Sequence, residues 1–79
     1  SNLYRRRGEL YRDAGDAHLR LDDPARALEM YDRGAALPLL DPDAMLNRRV
    51  AALMRLGRPA AASAAVLASI DERGGQIGG

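Results

Sequence analysis

The chain nearly repeats itself at an offset of 35 residues. Leu21-Asp22-Asp23-Pro24-Ala25-Arg26-Ala27 aligns with Leu56-Gly57-Arg58-Pro59-Ala60-Ala61-Ala62. Upstream, Tyr11 falls on Leu46, Ala17 on Ala52, Leu19 on Met54 and Arg20 on Arg55; downstream, Tyr31 falls on Val66. A period in this range, with helical patterning in each copy, predicts a stacked helix hairpin. Such units bury a stripe against their neighbours and leave a surface for a partner, so the repeat points to binding, not catalysis.

Four helices follow from periodicity and punctuation. The first is predicted at about residues 3–20, where Leu3, Leu10, Ala14, Ala17 and Leu21 recur at helical spacings beside a row of Tyr4, Tyr11 and His18. Asp22-Asp23-Pro24 ends it and starts the next, with Asp23 as cap and Pro24 at the first helical position, where its missing N–H costs nothing. The second, about 24–37, is expected to bury Ala27, Met30 or Tyr31, Gly34 and Leu37 before Pro38 stops it. Asp41-Pro42-Asp43 repeats the cap chemistry and opens a third, about 42–56, with Leu46, Val50, Leu53 and Leu56 on one stripe. The fourth, about 59–73, is expected to end at Gly74-Gly75. Residues 3–73 thus form one domain and 74–79 a loose tail. Gly15 and Gly34 fit helix interiors if another helix approaches there; Gly8 has no such reason in the pattern.

Composition narrows the function classes. A chain of 79 residues is one domain at most, and cores of this size rarely supply more than ~3–5 kcal/mol. Because solenoids need about three repeats to bury a continuous core, two repeats suggest part of a larger protein, or a chain that pairs. The net charge of +1, with acids and bases interspersed, offers no field for nucleic acid. Arg5-Arg6-Arg7 cannot form one patch, since successive helical residues point 100° apart. No cysteine is present, and one histidine, His18, cannot complete a zinc site. No apolar run reaches the ~20 residues of a membrane span. The expectation is a cytoplasmic protein without metal, cofactor or catalytic constellation. All twelve cations are Arg, a bias that suggests a GC-rich bacterial genome.

Gly15, Ala27, Tyr31 and Gly34, with Tyr11 and the closing Asp41-Pro42, resemble the tetratricopeptide repeat, a family of paired antiparallel helices. The second copy, with Val50, Ala62, Val66 and Ser69 at the same places, keeps only Ala62 as a typical residue. The resemblance spans about residues 8–73. It implies an all-α fold of two antiparallel hairpins in a short right-handed superhelix, and a protein or peptide partner in a concave groove. Ala27-Leu28-Glu29-Met30-Tyr31, Leu37-Pro38-Leu39 and Met54-Arg55-Leu56-Gly57-Arg58 also resemble the bacterial transcriptional activation domain, which would make this a helical effector or dimerisation domain of a transcription regulator.

The family's groove lies on the inner face of the first helix of each pair. Transferred residue by residue, it carries Glu9, Arg12, Asp16, Leu19 and Arg20, then Asn47, Ala51, Met54 and Arg55. The guanidinium groups would take carboxylates, and Leu19 and Met54 would supply apolar contact. With no Lys in the chain, the carboxylate clamp of chaperone-binding repeats is excluded. The fourth helix is small-sided nearly all round. A helix apolar on all faces is usually buried, so Ala61, Ala64, Ala65 and Ala68 are expected to dock against a further helix, in the same protein or in a homodimer.

Overall fold

A computed structural model describes residues 2–38 and 43–78, and the side chains of 3–38 and 43–72. It contains α1 (Asn2–Arg20), α2 (Pro24–Ala35), α3 (Leu46–Arg55) and α4 (Pro59–Gly78), and no strand among the described residues. The protein is all-α.

The repeat is written most clearly in the two tight turns. At the end of α1, Asp22 takes a left-handed conformation (φ 59°), and at the end of α3 Gly57 does the same (φ 71°). The two positions are 35 residues apart. In the first turn the Asp22 N–H donates to the Leu19 carbonyl at 3.0 Å and the Asp23 N–H to the His18 carbonyl at 2.9 Å. In the second the Gly57 N–H donates to Met54 at 3.0 Å and the Arg58 N–H to Leu53 at 2.9 Å. Both are Schellman closures, which satisfy carbonyls that a helix end otherwise leaves open. Each is followed by proline at the start of the next helix. Asp23 caps α2 as its sequence position predicts, its Oδ1 accepting from the Arg26 N–H at 3.2 Å.

Three boundaries differ from expectation. Helix α2 ends at Ala35, not 37, because Pro38 disfavours helical geometry at the residue before it and the last turn tightens, with Leu37 N–H on the Gly34 carbonyl. Helix α3 begins at Leu46 rather than 42; Asp43–Met45 form a turn, and the residue preceding the helix, Met45, gives no side-chain cap. Asp43 is used elsewhere, its carboxylate accepting from Ser69 Oγ of α4 at 2.5 Å. Asp41 and Pro42 lie outside the described residues. Helix α4 runs to Gly78, past the Gly74-Gly75 stop and through most of the expected tail. Glycine keeps its N–H in the ladder, and each costs only about 1 kcal/mol relative to Ala.

Contacts between elements follow chain order: α1 on α2, α2 on α3, α3 on α4. Tyr11 meets Gly34 while Gly15 meets Tyr31, so α1 and α2 run in opposite directions. Gly34 against Met45 and Asp32 against Arg49 make α2 and α3 antiparallel as well. The pair Asp43–Ser69, with the tight turn at 56–58, does the same for α3 and α4. The Cα positions span only 43 × 34 × 12 Å, a thin plate.

The core is correspondingly small. Ala27, Tyr31, Met45 and Ala52 form its buried cluster, with Leu19, Leu28 and Ala35 packed against it, and Leu53 and Ala62 are buried beside it. Tyr31, not Met30, is the large buried side chain of α2. One expectation fails. Leu3, Leu10 and Leu21, the bulky members of the first helix's stripe, are exposed, because α1 turns Gly8, Gly15 and Leu19 inward instead. Among the described side chains of α4 only Ala62 and Ser69 are buried, α3 being the helix packed against it.

Gly15 is required by the Tyr31 ring: a Cβ there would lie 2.3 Å from its Cε1 and 2.6 Å from its Cδ1. At Gly57 a Cβ meets nothing within 4 Å, but the positive φ remains. Gly57→Ala should therefore lower unfolding free energy by about 1 kcal/mol through backbone conformation alone. Gly15→Ala should lower it by about 1–3 kcal/mol through overpacking, against helix propensity, which favours Ala. Urea titrations of the two variants check both values.

Candidate functional site

Asp16, placed by the family transfer on the binding face, sits where three helices meet. Its Oδ1 accepts from the Tyr31 hydroxyl of α2 at 2.5 Å and from Arg48 Nε of α3 at 3.0 Å, and its Oδ2 accepts from Arg48 Nη2 at 3.3 Å. A buried tyrosine needs a partner for its hydroxyl, and Asp16 supplies it from the position directly after Gly15, the glycine that admits the ring. The arginine fork adds a bidentate pair, the strongest ion-pair geometry available to a side chain.

Two more α3 arginines reach back to the first hairpin. Arg49 Nε donates to Asp32 Oδ1 of α2 at 2.8 Å. Arg55 donates through Nη1 to the Leu19 carbonyl at 3.1 Å and through Nη2 to Asp22 Oδ1 at 2.7 Å, bracing the C-terminal turn of α1. In both α1 links the numbers rise together, Asp16 with Arg48 and Leu19 with Arg55, so α1 and α3 run parallel across the bridge.

The expected groove residues therefore divide. Asp16 and Arg55 both form ion pairs within the chain, Asp16 partly buried and Arg55 still exposed. Leu19 is partly buried on the core cluster. Arg12 is half-buried, with Nε 3.2 Å from Asp13 Oδ1. Arg20, Asn47, Ala51, Met54 and Glu9 are exposed, Met54 by 55%. The sequence reading omitted Arg48. Its position maps by the repeat onto Asp13, and that of Asp16 onto Ala51, so this bridge has no counterpart in the other copy and periodicity does not reveal it. The available signal was chemical: Tyr31, a buried-aromatic candidate, demanded a polar partner.

Ala61, Ala64 and Ala68 are exposed and Ala65 half-buried. By the 35-residue offset they correspond to Arg26, Glu29, Arg33 and Met30, most of which face solvent on α2. His18 is half-buried. Among the described residues no grouping of His, Cys, Asp and Glu could hold a metal ion, and no helix is long and apolar enough to cross a membrane. The chain matches no protein-family model, no curated protein and no solved structure.

The cluster's titration follows from its geometry. Partial burial acts to raise the Asp16 carboxyl, but the hydrogen bonds from Arg48 and Tyr31 outweigh it and hold the group below its ordinary 3.8. Burial, then the Asp16 carboxylate, pushes the Tyr31 hydroxyl up to about 12. A depressed carboxyl contributes stability that is present above the usual carboxylate range and lost as pH falls through the folded value. A raised phenol contributes stability present below about 10 and lost as pH climbs toward 12. Asp16→Asn should flatten the acid limb of a stability–pH curve, and Tyr31→Phe the alkaline limb, in denaturant midpoints measured across pH. Arg48→Ala should cost about 1–2 kcal/mol at neutral pH, a charged hydrogen-bond pair reduced by its partial exposure.

Proposed function

We propose that this chain is a non-catalytic protein-interaction module of the tetratricopeptide type, which takes an acidic segment carrying a large apolar residue on the face between α1 and α3. The observation that carries this reading is the state of that face. Arg48 and Arg55 tie α1 to α3, while Arg20, Asn47 and Met54 remain exposed beside them. Arg48 and Arg12 act electrostatically on the Asp16 carboxylate, and Arg48 and Arg20 on the Tyr31 hydroxyl beside it, so guanidinium groups gather around this pair. A cationic rim next to an exposed thioether suits a partner with carboxylates flanking an apolar side chain. The internal ion pairs fix the relative position of the two helices, so little of that ordering is left for binding to supply.

Selection of a random peptide display library on the immobilised protein tests the proposal. Enriched peptides should pair Asp or Glu with a large apolar residue. Their affinity should drop roughly tenfold for Arg20→Glu and for Met54→Ser, and should fall with added salt. Absence of enrichment, or peptides indifferent to both substitutions, overturns the reading. Arg55→Glu is unsuitable as a probe, because Arg55 holds α1.

A further inference from the structure

The plate ends in two helix edges that are covered by nothing, and both are bulky and apolar: Leu3 and Leu10 on α1, and Val66, Leu67 and Ile70 on α4. The repeat says what such edges are. Adding 35 to the residue number carries α1 onto α3 and α2 onto α4. Val66, Leu67 and Ile70 therefore stand where α2 has Tyr31, Asp32 and Ala35. On α2 those places face α3: Tyr31 is in the core with Met45 and Ala52, Asp32 holds Arg49, and Ala35 packs against the cluster. Conversely, Leu10, Ala14 and Ala17 of α1 stand where the chain has Met45, Arg49 and Ala52, the residues that meet α2. Each outer edge is thus a copy of one side of the internal α2–α3 junction.

We infer that α4 of one molecule receives α1 of a second copy of this chain, repeating the α2–α3 junction between molecules. Two observations support a second copy as the occupant. The Asp32–Arg49 ion pair is replaced at the edges by Leu67 and Ala14, so both partners change from charged to apolar together, and neither edge would leave an unpaired charge. The internal junction is antiparallel, so the same arrangement between molecules points the start of α1, with Arg5, Arg6 and Arg7, toward the end of α4, with Asp71 and Glu72, all exposed. The alanine stripe of α4 plays no part, since its equivalents on α2 are turned to solvent.

A head-to-tail contact does not close on itself after two copies, so it builds stacks of three or more, open or closed into a ring. Sedimentation equilibrium from micromolar to millimolar protein should give a weight-average mass that climbs past that of a dimer. Leu67→Asp places at the α4 edge the acid that Asp32 is internally. It should weaken association by roughly tenfold or more, without loss of helix, as Leu67 is 59% exposed. Ala14→Arg should do the same from the other edge, and the double variant, or an equimolar mixture of the two single variants, should regain association. Should Ala14→Arg lower the helical signal, Leu10→Glu, at a side chain 63% exposed, tests that edge. A monomer at every concentration overturns the inference. So does a mass that levels off at two copies, or association that is lost on Leu67→Asp but untouched by both α1 variants. Arg20→Glu and Met54→Ser serve only the α1–α3 face, so failure there leaves this result readable.

Discussion

A single carboxylate, Asp16, is the point at which α1, α2 and α3 are tied together. Its two oxygens accept from a phenol on α2 and from a guanidinium fork on α3, while its own backbone belongs to α1. The arrangement depends on a neighbour with no side chain. Only because Gly15 admits the Tyr31 ring can that ring lie against α1 with its hydroxyl on Asp16. One glycine, one aromatic, one acid and one arginine therefore form a chain of mutual requirements across three helices.

This polar bracing matters because the apolar core is thin. Of its buried hydrophobic members, Ala27, Ala52 and Ala62 each bring little area out of water, and Tyr31, Met45 and Leu53 supply most of the large side-chain burial. At about 25 cal/mol per Å², a core half made of alanine gains less from transfer than from allowing helices to approach closely. Close approach in turn brings α3 within arm's length of α1 and α2, where Arg48, Arg49 and Arg55 each find an oxygen. Surface ion pairs taken singly are worth little. Here they matter chiefly for geometry, since they fix how far apart and in which register the parallel helices α1 and α3 lie.

Much of the architecture was legible in the chain because its punctuation is chemical. Pro24 and Pro59 mark helix starts, Asp23 marks a cap, and the offset of 35 residues pairs Asp22 with Gly57, the two left-handed turn residues. What was not legible is of two kinds. The third helix is preceded by Asp41-Pro42-Asp43 as the second is by Asp22-Asp23-Pro24, yet it begins only at Leu46, and Asp43 accepts from Ser69 of α4, a long-range contact that no local pattern can reveal. The groove residues, transferred by position, included Asp16 and Arg55 and left out Arg48. A periodic comparison finds what two copies share, whereas the contacts that join unlike copies occupy positions where they differ.

That distinction also explains the exposed apolar residues. A helix in the middle of a stack has both flanks covered, and its sequence is conditioned by both neighbours; the first and last helices have one neighbour each. An edge meant for water normally carries charge, as Asp32 and Arg49 do even within the internal junction. The edges here have lost those charges: Ala14 and Leu67 take the places of the ion pair, and α4 carries no charged residue from Pro59 to Ile70. In a chain with 29% charged residues, twelve successive positions without one, on a helix with one neighbour, leave an uncharged surface that water covers poorly. The repeat that supplies the fold thus gives each edge a complement in the other, as the proposed stacking requires, and the face between α1 and α3 proposed for an acidic segment lies on a different surface.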